Sequence, residues 1–293
     1  MEWPVPEHRV QPVLAGEALS DEIEAWRVPP GCVTVWWLTQ ASWFAKFPNG
    51  LLVLIDPWWR DLDAGDRWGK LLGEFPMTPE QHPEPDVILC THWHDDHICP
   101  VSLPRFATVF EHVPFVVPNR SVERLVEMGI DEGRIIGMYG DDMIEDEDDE
   151  FGHCIAAVPA AHEDLDVDED GYLYLGFMIE AAGVTLFHMG DSRPHQEWHR
   201  MVHETALSLT GHLDLALLCI NGNDNLRHDE AVDLVDFLGD ALGGVIPMHY
   251  GMDPGNTVDP RIFVDEMQSR QVDTPFLVAE AGLRITIGPD GFH

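Results

Sequence analysis

The stretch Thr91-His92-Trp93-His94-Asp95-Asp96-His97 places three histidines and two aspartates within six positions. It follows an apolar run, Asp86-Val87-Ile88-Leu89-Cys90, that is typical of a buried strand. In an extended chain, His92 and His94 leave on the same side. Asp96 and His97 come after a turn and can face a second point nearby. The pattern predicts a site for two metal ions roughly 3.5–4 Å apart. A solvent-exposed, histidine-rich loop is the alternative, and the position after a buried strand favours metal.

The pattern His92-x-His94-x-Asp96-His97 resembles the signature of the metallo-β-lactamase superfamily. Further motifs of that superfamily occur in the expected order, and each lies at the end of an apolar run: Asp56, His162, Asp191 and His249. Strand and helix patterns also interleave along the chain. We therefore expect an α/β fold, a four-layer αββα sandwich, with the site where the strand ends of both sheets meet.

The resemblance implies a ligand set of five histidines and two aspartates. The ligands implied for the first ion are three histidines: His92, His94 and His162. Those implied for the second ion are one aspartate and two histidines: Asp96, His97 and His249. Asp191 would bridge both ions, and Asp56 would orient a ligand histidine from behind. Cys99, two residues past the motif, is a further candidate ligand.

A mixed nitrogen–oxygen site of this kind suits two divalent ions, Zn²⁺, Mn²⁺ or Fe²⁺. The superfamily at large uses zinc, and its lactonase branch is associated with manganese. Such ions lower the pKa of bound water and polarise the bond under attack. We expect Asp96 to hold the bridging hydroxide and take its proton, and Asp191 to keep the ions together. His249 or Tyr250 would stabilise the developing oxyanion.

Nearly the whole chain is similar to the L-ascorbate-6-phosphate lactonase branch, including a Trp-Trp-Leu strand near the N-terminus. This similarity implies hydrolysis of a small sugar lactone, with or without a phosphate. A phosphodiesterase or another small-molecule metallohydrolase is the alternative, and a non-catalytic metal-binding sensor is a third. Redox relatives usually show Glu where His94 stands, so an oxidoreductase is not favoured. The chain is shorter than the lactonases between His162 and Tyr172, where a phosphate pocket would lie.

Polar residues in loops at strand ends are the candidates for substrate contacts: Gln40, Asn221, Asn223, Tyr250 and Asn256. Asparagine also favours such loops for the sake of the turn itself, so a purely structural role is the alternative. Arg193 and Arg227 are candidates for binding a phosphate, because a guanidinium binds phosphate through two hydrogen bonds. Pairing with surface carboxylates is the alternative for both arginines.

The chain carries 53 acidic and 16 basic residues, a formal net charge of −37. Such a charge repels nucleic acid and anionic membranes, so we expect neither as a partner. At molar salt the Debye length falls to about 3 Å and self-repulsion fades. The composition therefore indicates adaptation to a salty, halophilic cytoplasm. The acidic runs 141–150 and 163–170 are expected to be solvated loops.

We expect an N-terminal arm and helix (1–30) followed by a single domain (31–293). The composition does not shift along the 293 residues, which argues against a division into two domains. No apolar run reaches the ~18 residues of a membrane span, and the N-terminus does not resemble a signal peptide. Five scattered cysteines indicate a reducing compartment, so we expect a cytoplasmic protein. The sequence does not decide the oligomeric state, and a homo-oligomer is compatible with it. Ser20 and Ser121 are expected to cap helices, and residues 276–278 and 283–287 to close the second sheet.

Overall fold

The computed structural model describes residues 10–61, 71–146, 152–195 and 197–293. The beginning of the predicted N-terminal arm and the end of the acidic run 141–150 lie outside these ranges. Within them, no helix combines the length and the apolarity that crossing a bilayer requires.

The first half of the described chain alternates strands with three helices. Its elements are α1 (Glu17–Ala25), β1 (Val33–Thr39), β2 (Ser42–Lys46), β3 (Leu52–Ile55), β4 (Val87–Leu89), α2 (Ser102–Val109), β5 (Phe115–Pro118), α3 (Val122–Glu127) and β6 (Ile135–Met138). The prolines around 83–85 and the polar motif after Cys90 bound β4, and all three of its residues are buried.

The second half begins with antiparallel strands and continues with strands separated by helices. Its elements are β7 (Met143–Asp146), β8 (His153–Pro159), β9 (Val167–Asp168), β10 (Gly171–Tyr172), β11 (Leu175–Ala181), β12 (Val184–His188), α4 (Trp198–Leu209), β13 (Leu215–Cys219), α5 (His228–Leu238), β14 (Val245–Met248), α6 (Arg261–Ser269), β15 (Arg284–Gly288) and β16 (Gly291–Phe292).

Two mixed sheets form among the described residues. The first has the order β16-β15-β1-β2-β3-β4-β5-β6 and the second the order β14-β13-β12-β11-β8-β7. Strands β3 to β6 are parallel, as are β12 to β14. Because parallel strands end at the same edge, the loops that follow them are brought together.

The expected closure of the second sheet was wrong for residues 283–287, whereas residue 276 does lie against the edge of that sheet. Phe276 makes an isolated bridge to Val245, and the chain then crosses to the first sheet. There β15 pairs antiparallel with β1, with Ile287 opposite Val33. Ile285 and Ile287 face the core between the sheets, so β15 still buries its apolar face, but from the opposite side of that core.

The side chains of β1 show how the layers are built. Val35 and Trp37 face the core between the two sheets, whereas Trp36 and Leu38 face the helices that cover the first sheet. Helices α1, α2 and α3 pack there through buried apolar residues: Leu19, Ile23, Leu103, Phe106 and Leu125. Helices α4, α5 and α6 cover the second sheet through Val202, Val235 and Phe263. The predicted four-layer αββα arrangement is confirmed.

The predicted cap at Ser20 was wrong, and Ser121 occupies the N-cap position of α3 without making the expected capping hydrogen bond. Helix α1 begins after Gly16, whose φ of 59° suits glycine, and Ser20 lies inside the helix and is buried. Ser121 does precede α3, but its buried hydroxyl makes no hydrogen bond within the described part of the chain. A 3₁₀ turn leads into α3, so Ser121 has helical rather than extended backbone angles, and its side chain does not reach the first free N–H groups.

Candidate metal centre

Four strand ends meet at one edge between the two sheets. β4 is followed by His92, β8 by His162, β12 by Asp191 and β14 by His249. The backbone turns sharply at this edge, since Asp56 (φ 45°) and His249 (φ 66°) both lie in the left-handed region. Such a conformation costs of order 1–3 kcal/mol and is common at functional sites.

The first group of potential ligands consists of His92, His94 and His162. His94 Nδ1 lies 3.1 Å from His92 Nε2 and 3.1 Å from His162 Nε2. Three nitrogens that converge on one point favour a shared proton or a cation between them. The side chain of His94 is 23% exposed, whereas that of His92 is fully buried. The His94 side is therefore the more open side of this group.

The second group consists of Asp96, His97 and His249. Asp96 Oδ2 lies 3.6 Å from His249 Nε2 and 3.9 Å from His97 Nε2. Asp191 lies between the two groups. Its Oδ1 is 3.5 Å from His97 Nε2, and its Oδ2 is 3.1 Å from His249 Nε2 and 3.7 Å from His162 Nε2. The structure thus brings all seven predicted ligands together, with Asp191 next to both groups.

Hydrogen bonds behind the site orient the rings. Asp56 Oδ2 lies 2.7 Å from His97 Nδ1, and its two oxygens accept from the Thr91 backbone N–H (2.7 Å) and hydroxyl (2.8 Å). His162 Nδ1 donates to the Asp224 carbonyl at 2.8 Å. At His97 and His162 the contact occupies Nδ1 and leaves Nε2 as the nitrogen that faces the cluster and can bind a metal.

The residues fit divalent metal ions. His97 Nε2 and His249 Nε2 are buried and lie close to Asp191 oxygens, but neither makes a contact with hydrogen-bond geometry among the described residues. An unpaired buried nitrogen costs free energy, and a cation between it and the neighbouring carboxylates removes that cost. Imidazole nitrogens together with carboxylate oxygens are a donor set that Zn²⁺ and Mn²⁺ accept.

At Asp191 and His92 the surroundings favour the protonation states that ligands need, whereas at His97 the carboxylates favour the protonated ring, whose proton a bound cation would displace. Burial raises the pKa of Asp191, but His249 and His97 outweigh it and hold that pKa well below its usual value. Burial and the neighbouring histidines hold the pKa of His92 well below its usual value. Burial also lowers the pKa of His97, yet Asp56 and the other carboxylates outweigh it and raise that pKa. A carboxylate and a neutral imidazole result at Asp191 and His92.

Gln40 lies behind the second group and is fully buried. Its Nε2 is 3.2 Å from His249 Nδ1 and 3.4 Å from Asp96 Oδ2. The backbone carbonyl of Gln40 accepts from Trp37 Nε1 at 3.0 Å and from the His249 backbone N–H at 3.1 Å. The Gln40 side chain was predicted to contact substrate. In the structure it contacts two potential metal ligands, Asp96 and His249.

The other polar candidates are less closely associated with the cluster. Asn221 is buried and donates to Asn256 Oδ1 at 2.6 Å, and Asn223 is exposed in the same loop. Tyr250 is buried, its ring lies 4.7 Å from Trp37, and its hydroxyl donates to a backbone carbonyl of residue 279 at 3.0 Å. That hydrogen bond commits the Tyr250 hydroxyl elsewhere, which argues against its expected role at an oxyanion.

Both candidate arginines are paired with acid. Arg227 makes two 3.0 Å hydrogen bonds to Asp229 and lies 3.2 Å from Glu230. Arg193 Nη1 lies 3.6 Å from Asp224 Oδ1, and its Nη2 donates to the Glu163 carbonyl.

Cys99 is part of an apolar cluster with Trp58, Leu71 and Met252. Its thiol donates to the Trp59 carbonyl at 3.5 Å, and it belongs to none of the ligand groups found among the described residues. The structure gives no support to Cys99 as a ligand.

Several residues that contact the centre were not predicted from the sequence. Asn225 Nδ2 donates to Asp191 Oδ2 at 2.8 Å, and Glu163 Oε1 lies 3.7 Å from His94 Nε2. Tyr174 donates to Glu163 Oε2 at 3.1 Å. Glu163 directly follows His162 in sequence and could have been suspected from that position. Asn225 and Tyr174 give no such local signal.

A sequence model described as "Beta-lactamase superfamily domain" matches residues 34–249. The chain belongs to the metallo-β-lactamase superfamily. The predicted resemblance is thereby confirmed, and the protein is a metallo-hydrolase of this superfamily. Among curated relatives, the probable L-ascorbate-6-phosphate lactonase UlaG of Escherichia fergusonii is 24% identical over 282 residues, spanning 84% of this chain and 77% of the relative.

Solved structures show the same fold. Igni18, a metallo hydrolase from the archaeon Ignicoccus hospitalis, aligns with a TM-score of 0.66 and 23% identity, covering 87% of this chain and 98% of that one. An isothiocyanate hydrolase from Delia radicum gut bacteria aligns with a TM-score of 0.65 and 12% identity, covering 86% and 97%. At these identities the likeness establishes the fold and leaves the substrate to other arguments.

Proposed function

We propose that the protein is a lactonase that hydrolyses a small sugar lactone, with or without a phosphate, at a centre for two divalent ions. The observation that carries the proposal is the position of Asp191, which lies within 3.7 Å of potential ligands from both three-residue groups. The lactonase reading also draws support from the curated relative, whose name includes that activity. Lactone hydrolysis needs an activated water and a polarised carbonyl, and a pair of bound ions supplies both.

The chain's own residues hold and orient the reacting groups. Asp96 is nearly buried and keeps one oxygen near His249, so its carboxylate is placed to take a proton from a water in the centre. Gln40 contacts both Asp96 and His249 and limits how far either side chain can turn. His249 presents Nε2 towards the centre, next to Asp191, where it would face the developing oxyanion.

Access to the centre is open on the side of His94. The rings of His92, His97 and His249 are fully buried, whereas His94 is partly exposed and Glu163 beside it is 59% exposed. Trp93 and Tyr174 flank this opening, with the Trp93 ring 4.4 Å from the His94 ring. A small ring-shaped substrate that enters here reaches the first group of ligands before the second.

The test is hydrolysis by purified protein in molar KCl, reconstituted separately with Mn²⁺ and Zn²⁺. The substrates are a sugar lactone, its phosphate ester and a phosphodiester. His97→Ala is the matched blank, because it removes one ligand of the second group and its contact with Asp56. We expect lactone turnover in the wild type and a loss of about 100-fold or more in the variant, since removing a metal ligand costs at least what removing its supporting partner costs.

Turnover of the phosphodiester without turnover of either lactone would contradict the proposal and favour the phosphodiesterase alternative. Binding of two ions with no hydrolysis of any substrate would favour a metal-binding sensor. Metal content measured on both proteins separates a loss of ions from a loss of chemistry.

A further inference from the structure

A cavity of about 420 Å³ borders the centre on the side of His162. It is lined by Ala161, the residue before His162, and by Asn225, which donates to Asp191. Asp224 also lines it and accepts from His162 Nδ1 through its carbonyl. Ligand cavities in proteins begin at roughly 300 Å³, so the volume suits a small molecule.

The charges around this cavity oppose an anion. Its lining contains two arginines and three carboxylates: Arg193, Arg227, Asp164, Asp224 and Glu230. Both arginines are already paired, Arg227 with two carboxylates and Arg193 with Asp224. A phosphate would have to compete with these carboxylates for the arginines and would lie beside them, and like charges placed together repel one another. Such a lining suits the hydroxyl groups of an uncharged molecule, which can donate to carboxylate oxygens.

Asn225 provides a second, independent observation. The residue is 2% exposed, and its Nδ2 donates to both Asp191 Oδ2 (2.8 Å) and Asn221 Oδ1 (3.1 Å). Two acceptors on one side fix the orientation of the amide, and its Oδ1 is left without a hydrogen-bond partner among the described residues. Asn225 lines the cavity, and a buried carbonyl oxygen without a partner calls for a donor from whatever binds beside it. A hydroxyl group supplies that donor, and a phosphate dianion does not.

We propose that this cavity binds the uncharged, hydroxyl-rich part of the substrate, so that the enzyme prefers a neutral sugar lactone to its phosphate ester. This inference rests on the proposed lactonase function and names its substrate class. It sets the protein apart from relatives whose name specifies a phosphorylated lactone.

The experiment compares D-galactono-1,4-lactone with its 6-phosphate on the manganese-loaded protein in 1 M KCl. At that salt the Debye length is about 3 Å, so the overall charge of the protein is screened and the comparison reports contacts in the cavity. We expect kcat/KM to be at least ~10-fold higher for the neutral lactone. The carboxylates of this partly buried lining repel a phosphate group, whereas they accept hydrogen bonds from hydroxyl groups. Equal values, or a preference for the phosphate ester, would overturn the inference.

Two variants locate the preference. Asp164→Asn combined with Asp224→Asn removes negative charge from the lining, so we expect the ratio between the two substrates to shift towards the phosphate ester. Arg193→Gln is expected to shift the ratio the other way, towards the neutral lactone, because it leaves the Asp224 carboxylate without its guanidinium partner. A ratio that stays the same in the double aspartate variant would contradict the inference.

Calorimetric binding separates this inference from the proposed function. If neither lactone is hydrolysed, the lactonase proposal fails, and the affinities of the two lactones for the metal-loaded wild type still decide which one the cavity prefers. Tighter binding of the phosphate ester, or binding of neither lactone, would overturn the inference.

Discussion

Glu163 is the residue outside the predicted ligand set with the clearest expected effect on metal binding. His94 turns Nδ1 towards the other two histidines of its group, which leaves Nε2 facing Glu163 Oε1 at 3.7 Å. The Tyr174 hydroxyl holds the other oxygen of Glu163, and burial and Glu163 together raise the pKa of Tyr174 to about 12, so that hydroxyl stays a donor. We therefore expect Glu163 to act on the metal site through the His94 ring.

Glu163→Ala is expected to weaken binding of one ion by about 10-fold, the lower end of what removing such a supporting partner costs. Glu163→Gln, which keeps an acceptor, is expected to restore most of the affinity. Titration with Mn²⁺, followed by the metal content of dialysed protein, measures the effect. Glu169→Ala, an exposed acid in the same loop, is the control. Equal affinity in Glu163→Ala and Glu169→Ala would show that Glu163 does not orient His94.

Single residues also show where sequence reasoning ends. The seven ligands could be predicted because a short motif and strand ends fix them locally. Gln40 and Tyr250 are equally close to strand ends, yet one turns inwards to His249 and the other donates to a backbone carbonyl near residue 279. Which way such a side chain points depends on elements far away in sequence. The spacing of residues along the sequence therefore does not show the direction of such a side chain.

At the scale of elements, strands were predictable and their partners were not. The apolar runs of β4, β8, β12 and β14 indicated four strand ends that meet at one edge. β15 has the same alternation of apolar residues, but it pairs with β1 across a sequence separation of some 250 residues. An amphipathic strand is compatible with either sheet, because both present apolar faces to the same core.

His82 lies between helix α2 and strand β2, and its pKa differs between the folded and unfolded states. Its ring packs 4.8 Å from Phe106 of α2 and 5.6 Å from Phe44 of β2, and its Nδ1 donates to the Thr78 carbonyl at 2.7 Å. Burial lowers the pKa of His82 from 6.5 to about 4. The folded state thus favours the neutral ring. The stability that this ring contributes is present above pH 6.5 and is lost as the pH falls from 6.5 towards 4.

We expect His82→Asn to flatten the decline of unfolding free energy between pH 6.5 and pH 4, because the amide keeps a donor for Thr78 and does not titrate. Denaturant unfolding of both proteins at several pH values in the same salt measures the difference. His112→Asn, at an exposed position, controls for the loss of one histidine. A decline in His82→Asn as steep as in the wild type would mean that His82 does not carry this pH dependence.

At the scale of the whole molecule, the sequence predicted the layers of the sandwich and the large negative charge. The layers follow from alternating burial, which each strand and helix encodes for itself. That residues 31–293 form one domain, that the protein is cytoplasmic and that it is adapted to salt all stay predictions. Charge bears on the last of these directly, because its effect on stability depends on ionic strength.

The net charge of −37 is expected to make the protein more stable in molar KCl than in dilute buffer. At 0.1 M salt the Debye length is about 10 Å, so neighbouring surface carboxylates repel one another, whereas at 1 M it is about 3 Å and most of that repulsion disappears. The melting temperature should therefore rise steadily with KCl.

Asp21→Asn with Glu24→Gln removes two exposed charges from α1 and should reduce the slope of that rise. A melting temperature independent of KCl would contradict the adaptation to salt, and an equal slope in the variant would place the salt effect elsewhere than in surface repulsion along α1.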